Sequence, residues 1–188
     1  MKAFLIAIGV LVLIGLLCFG MVVSNYNGIV SKHETITAKW SQVENQLQRR
    51  NDLIPNLVNT VKGYAAHEKS VFENVTNARS QWAKANTLED KVQAAGKMDA
   101  ALARLLLVVE NYPNLKADQT FLKLMDELSG TENRIAVERM RFNEAVRDYN
   151  VTVRMFPGNV IAGMFGYKPA TEYFKAVDAA KAVPEVRF

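Results

Sequence analysis

Apolar residues recur along this chain at alternating steps of four and three: Ile36, Trp40, Val43, Leu47, then Ile54, Leu57, Val61, Tyr64, then Val71, Val75, Ala78, Trp82. A repeat averaging about 3.5 residues places one apolar stripe along a helix and suits left-handed packing of helix on helix. The same count returns at Phe121, Met125, Leu128, Ile135, Phe142, Val146, Tyr149, Val153 and Phe156. No stretch alternates with period two, so no sheet is expected and the fold class is all-α.

Punctuation divides the stripe into helices. In "NTLED", Thr87 stands at an N-cap with Asp90 three residues later, a pairing that starts a helix running to about Glu110. "NYPNLKAD" stops that helix at Pro113 and offers Asp118 as the cap of the next, which runs to "FPGN" at Pro157 and Gly158. Gly130 leaves the apolar phase unshifted and reads as a tolerated interior residue. Pro55 also keeps the phase and predicts a bend near Asn51 rather than an end.

A helix from Asn27 to His67 would rise about 60 Å at 1.5 Å per residue. If it turns between Gly63 and Glu68, two shorter helices descend and climb, and the last returns to the starting level. That is an up-down, antiparallel four-helix bundle. The alternative keeps Asn27 to Ala85 as one helix with the later ones folded back along it. Both bring Pro157 back to the level of Asn27.

Ahead of the bundle, "AFLIAIGVLVLIGLLCFGMVV" from Ala3 to Val23 carries no charge and no proline. About 20 such residues span a bilayer core, so residues 3–23 predict a transmembrane helix that contacts the lipid bilayer. A cleaved signal carries only about 7–15 apolar residues, which favours a retained anchor. Leu17 is too large a residue to precede a lipid-modified cysteine at Cys18, the lone cysteine. Lys2 on one side and Lys32 and Lys39 on the other nearly balance, so the side holding the bulk of the chain stays open. The expected organisation is an anchor over residues 1–25, a bundle over 26–156 and a C-terminal tail over 157–188.

Four charged residues fall in the apolar register: Arg50, Glu68, Glu132 and Arg139. An unpaired buried charge costs several kcal/mol, roughly, so these predict a structural polar seam in which Arg–Glu pairs between the first and last helices select one register, with a buried polar site for a ligand or ion as the alternative. A second set, Val160, Ile161, Met164, Phe165 and Tyr167, makes the tail apolar, yet the tail is too short to span a bilayer. Capping of the bundle, dipping into the membrane interface and contact between subunits are all open to it.

The chain carries little chemistry. Its two histidines, His33 and His67, would lie about 50 Å apart if one unbroken helix held both. There is no G-x-S-x-G elbow, no phosphate-binding glycine loop and no H-E-x-x-H. A bundle di-metal site normally uses E-x-x-H repeats, and none occurs. The net charge of +4 arises from interleaved Lys, Arg, Asp and Glu, a solvated helix surface rather than a nucleic-acid patch. These observations argue against an enzyme, and no catalytic residue, metal, cofactor or nucleic-acid partner is expected.

"YNGIV" at Tyr26, "KWSQVENQLQRRNDLIPNLVNTVKGYAAHE" from Lys39, "YPNLKADQTFLKLMDELSGTENRIAVERMRFNEAVRDYN" from Tyr112 and "FPGNVIAGMFGYKP" from Phe156 resemble the LemA family of bacterial membrane proteins. The resemblance implies a single-pass protein of a bacterial membrane with one N-terminal anchor and a bundle of long antiparallel helices. It brings no catalytic residues, and the family's likeness to a magnetosome protein implies a role in membrane organisation. The leading expectation is a non-enzymatic, membrane-anchored helical scaffold, working as a homo-oligomer or by recruiting a membrane-protein partner. The alternative is a sensor or regulatory adaptor in which a stimulus alters packing around the four seam charges.

Overall fold

The computed structural model describes residues 1–171 together with Tyr173 and Phe174. The end of the expected tail, residues 175–188, lies outside the described residues. Among the described residues there is no strand, and the helices are α1 (Lys2–Tyr64), α2 (Lys69–Lys84), α3 (Leu88–Val109), α4 (Pro113–Lys116), α5 (Gln119–Arg154) and α6 (Gly158–Phe165). The apolar N-terminal run and the first heptad helix are thus one continuous helix, and Pro55 lies inside it without ending it. Gly130 lies inside α5 in the same way. The chain leaves helix after Tyr64 and re-enters it at Lys69, which overturns the single helix from Asn27 to Ala85. Ala65, in that turn, is buried, so the turn is fixed by its own apolar contact.

Local chemistry explains the remaining boundaries. Thr87 has an extended backbone, and its hydroxyl accepts the amide of Asp90 at 3.1 Å, satisfying one of the amide donors that the first turn of a helix leaves free. Pro113 opens α4, where its missing N–H costs nothing. Asp118 Oδ1 accepts the amide of Phe121 at 2.9 Å and starts α5. At the end of α6, Gly166 adopts φ 79°, and the amide of Tyr167 donates to the carbonyl of Ala162 at 2.9 Å. A left-handed residue followed by that bond closes a helix, and glycine takes the conformation without strain.

The contacts divide the chain into two compact units. The first comprises Met1–Trp40 and Arg141–Thr171. Its core is Ile29, Tyr149, Val153, Ile161 and Ala162, with Val22, Tyr26, Ile36, Tyr167 and Ala170 packed against it. Here α1 and α5 run antiparallel: Trp40 meets Phe142 at 5.7 Å between ring centres, and His33 meets Tyr149 at 5.6 Å. Residues before Met21 contribute nothing to this core, and that whole stretch is exposed.

The second unit contains Ser41–Met140. Its core draws Ile54, Leu57 and Val61 from α1, Phe72 and Val75 from α2, Met98, Leu102 and Leu105 from α3, Leu115 from α4, and Phe121 and Leu128 from α5. Each such buried side chain contributes on the order of 1.5–3 kcal/mol. α2 and α3 form an antiparallel hairpin, and Tyr64 of α1 reaches Asp118 before α5, so the first and last helices are antiparallel here as well.

Candidate functional site

The apolar stripes decide where the seam charges go. Arg50 follows Leu47 by three residues and precedes Ile54 by four, so the turn of α1 that buries those leucine and isoleucine side chains carries the guanidinium inward with them. Glu132 follows Leu128 by four residues and precedes Ile135 by three, and Arg139 is spaced in the same way from Ile135 and Phe142. On α3, Asp99 lies between Ala95 and Leu102 on the buried face.

The second unit brings these four together. Arg50 Nη1 donates to Asp99 Oδ1 at 2.5 Å and to Glu132 Oε1 at 3.1 Å, and Nη2 reaches the carbonyl of Ala95 at 3.5 Å. Arg139 Nη1 donates to the other oxygen of Asp99 at 3.2 Å, and the guanidinium lies 4.9 Å from the ring centre of Phe174. The Arg50 side chain is 3% exposed, against 24% for Asp99 and 40% for Glu132. A fully buried cation is therefore held by two carboxylates that keep one side in water. Two guanidinium groups and two carboxylates make the cluster neutral. Its described contacts are ion pairs and hydrogen bonds.

Glu68 is placed elsewhere. It stands at the start of α2, half-buried, and accepts the hydroxyl of Tyr112 at 3.3 Å. Burial, with the nearby Glu68 charge, raises the pKa of that tyrosine. Sequence reasoning placed Glu68 in the seam because Tyr64 and Val71 flank it at heptad spacing, but the helix is interrupted between them and the register does not carry across. It missed Asp99. The signal was present in "AAGKMDAALARLL", where an acidic residue interrupts the buried face of an otherwise amphipathic helix.

A cavity of about 200 Å³ opens beside the cluster, lined by Asp99, Leu102, Ala103, Leu106, Leu128 and Glu132. A larger open groove of about 430 Å³ lies against Lys62, Lys69, Phe72 and Glu73. Among the described residues no group of histidine, cysteine and acidic side chains is arranged to hold a metal ion.

The tail residues part company in the first unit. Ile161 is buried in the core, whereas Val160, Met164 and Phe165 are exposed and Tyr167 is half-buried. Phe165 lies 4.6 Å from Tyr26 between ring centres and Tyr167 lies 6.2 Å from it. The tail is tied to α5 by side chains that sequence reasoning did not single out. Buried Asn150 donates to the carbonyl of Ala170 at 2.8 Å and accepts its amide at 2.7 Å, and the hydroxyl of Tyr149 donates to the carbonyl of Lys168 at 2.9 Å. A Cβ on Gly158 would lie 2.1 Å from the carbonyl oxygen of Thr152, so only glycine permits α6 to start this close to α5.

Comparison with known proteins finds relatives over most of the chain. Magnetosome protein MamQ 2 of Paramagnetospirillum magneticum is 32% identical over 176 residues, covering 80% of this chain and 64% of the relative. Magnetosome protein MamQ of Magnetospirillum gryphiswaldense is 30% identical over 196 residues, covering 90% and 71%. Protein LemA of Metamycoplasma hominis is 24% identical over 143 residues, covering 74% and 64%. The match with MamQ 2 thus spans less than two thirds of that relative's length. The family profile of LemA matches residues 39–188, which hold every helix of the second unit and both seam arginines. With most of its length matched by that profile, this chain belongs to the LemA family.

Proposed function

We propose that this chain is a non-enzymatic, membrane-anchored helical scaffold, with residues 1–25 as the anchor, 26–156 as the bundle and 157–188 as the tail, acting through self-association or by recruiting a membrane-protein partner. One observation carries the reading. The most apolar stretch of α1 is long and apolar enough to cross a membrane and has no buried residue, while the same helix goes on to supply the cores of both units. Such a contiguous exposed apolar surface marks an interaction site, and at this length the bilayer fits it. The likeness to proteins named for the magnetosome agrees with a place in membrane organisation. A neutral ion cluster whose two carboxylates are both engaged by guanidinium groups agrees with a structural rather than a catalytic role.

Anchoring confines copies to two dimensions and raises their effective concentration, which lets weak contacts accumulate. Crosslinking in native membranes, followed by mass determination in detergent, tests the reading. Homo-oligomers, alone or carrying a membrane-protein partner, are expected. A pattern limited to monomer, where a known oligomer crosslinks, would remove the scaffold. The Arg50, Asp99, Glu132 and Arg139 cluster favours a second reading, a regulatory adaptor whose stimulus shifts those ion pairs. The adaptor would be recovered with one foreign partner and without copies of itself.

A further inference from the structure

We propose that α6 is an in-plane membrane helix, with Val160, Met164 and Phe165 inserted into the boundary between headgroups and acyl chains beside the point where α1 leaves the bilayer. The inference rests on the reading of residues 3–23 as a membrane anchor. From Gly158 to Phe165 α6 carries no charged residue, and its outward side chains are apolar: Val160 is 52% exposed, Met164 70% and Phe165 52%. Met155 and Phe156, in the turn that leads into it, are exposed at 62% and 79%. Eight residues rise only about 12 Å, so α6 cannot cross a bilayer and can only lie along its surface.

Position selects the bilayer as occupant. Phe165 packs on Tyr26, three residues past the end of the apolar run at Val23, and Val22 and Tyr26 both pack against the core that holds α6. If the run is in the membrane, Tyr26 stands at the membrane surface, the depth at which tyrosines are enriched, and so does the ring of Phe165. The inner face of α6 is fixed by Ile161 and Ala162 in the same core, so the outer face is presented without further ordering. Exposed Arg154 and Lys168 bracket the helix, where anionic headgroups attract cations. A second copy of the chain would also cover apolar side chains. It would have to find them, whereas the anchor sets α6 against lipid in every copy.

The test uses the full-length protein in vesicles of phosphatidylcholine and phosphatidylserine. Cys18→Ser removes the native thiol, and single cysteines introduced as Leu11→Cys, Met164→Cys and Lys123→Cys carry a nitroxide. Relaxation by oxygen and by a water-soluble nickel complex reports the depth of each label. The expected result is a label at 11 deep in the bilayer, one at 123 in water, and one at 164 shielded from nickel several-fold relative to 123 while open to oxygen. A label at 164 as open to nickel as that at 123, with 11 still deep, would overturn the proposal and leave the anchor standing. Shielding at 164 accompanied by spin–spin broadening that vanishes on dilution with unlabelled chain would assign the surface to a second copy instead. A label at 11 in water would remove both readings. Because all three sites are exposed, the substitutions leave the cores untouched, and the double variant Met164→Asp/Phe165→Asp should lose nickel shielding at Val160→Cys without loss of helicity.

Discussion

Arg50 shows how one residue reports on its surroundings. The guanidinium is buried with Leu47 and Ile54 on either side of it along α1, and two carboxylates from α3 and α5 converge on it. Removing one partner of a buried pair typically costs about 3–5 kcal/mol, and the partial exposure of Asp99 and Glu132 lowers the figure here. Arg50→Glu sets a third acid against those two and should destabilise by about 3 kcal/mol, read as a lower midpoint in urea melts of detergent-solubilised protein. Glu132→Gln, at the most exposed corner of the cluster, should cost about 1 kcal/mol or less. Equal midpoints for Arg50→Glu and the unaltered chain would mean that Arg50 does not hold this cluster. Gly158 is a second such residue. Its missing Cβ is what lets the backbone of α6 approach Thr152, so Gly158→Ala should cost about 1–3 kcal/mol and raise amide exchange across α6. Unchanged exchange there would show that the contact yields without cost.

Among the elements, the joint between α1 and the start of α5 is set by Asp118. Its carboxylate accepts the amide of Phe121 and the hydroxyl of Tyr64, and the pKa of Asp118 is lowered by the Phe121 amide first and the Tyr64 hydroxyl second. A carboxyl whose folded pKa is depressed contributes stability that is present above its unfolded pKa and is lost as pH falls through the folded value. Asp118→Ala should therefore lower the melting temperature at neutral pH, and the difference from the unaltered chain should shrink below about pH 4. The hydroxyl of Tyr64 has the opposite sign. Its pKa is raised by the bond to Asp118, so the bond persists through neutral pH and fails only in strong alkali. A melting difference that stays constant from neutral to acid pH would show that the cap works without its charge.

For the molecule as a whole, the exposed apolar run is the feature that separates a membrane protein from a soluble bundle. Intact-mass analysis of membrane-extracted protein should find residues 3–23 retained, and alkaline carbonate should leave the chain in the membrane. A mature chain beginning at Asn25 would sink the anchor. That run, the all-helical class and the breaks at Thr87, Pro113 and Pro157 were legible in the sequence, because periodicity, length and capping chemistry are local properties that neighbouring residues settle among themselves. The burial of Arg50 was legible for the same reason, since the stripe fixes which way its side chain leaves the helix. Its partners were not. Asp99 joins Arg50 across 49 positions and Glu132 across 82, and no local pattern ranks one distant carboxylate above another. Glu68 shows the converse, because an apparent heptad runs through a turn where the helix stops and the side chain is released to Tyr112. The tail depended most on tertiary contacts. Eight residues do not hold a helix alone, so α6 forms where Ile161 and Ala162 find Ile29, Tyr149 and Val153, and where Asn150 holds the segment behind it. The sequence by itself determined the helices and the face each one buries, because a single helix suffices to specify both. Only the tertiary structure decided which charges meet and where the tail returns, because those depend on segments that become neighbours after folding.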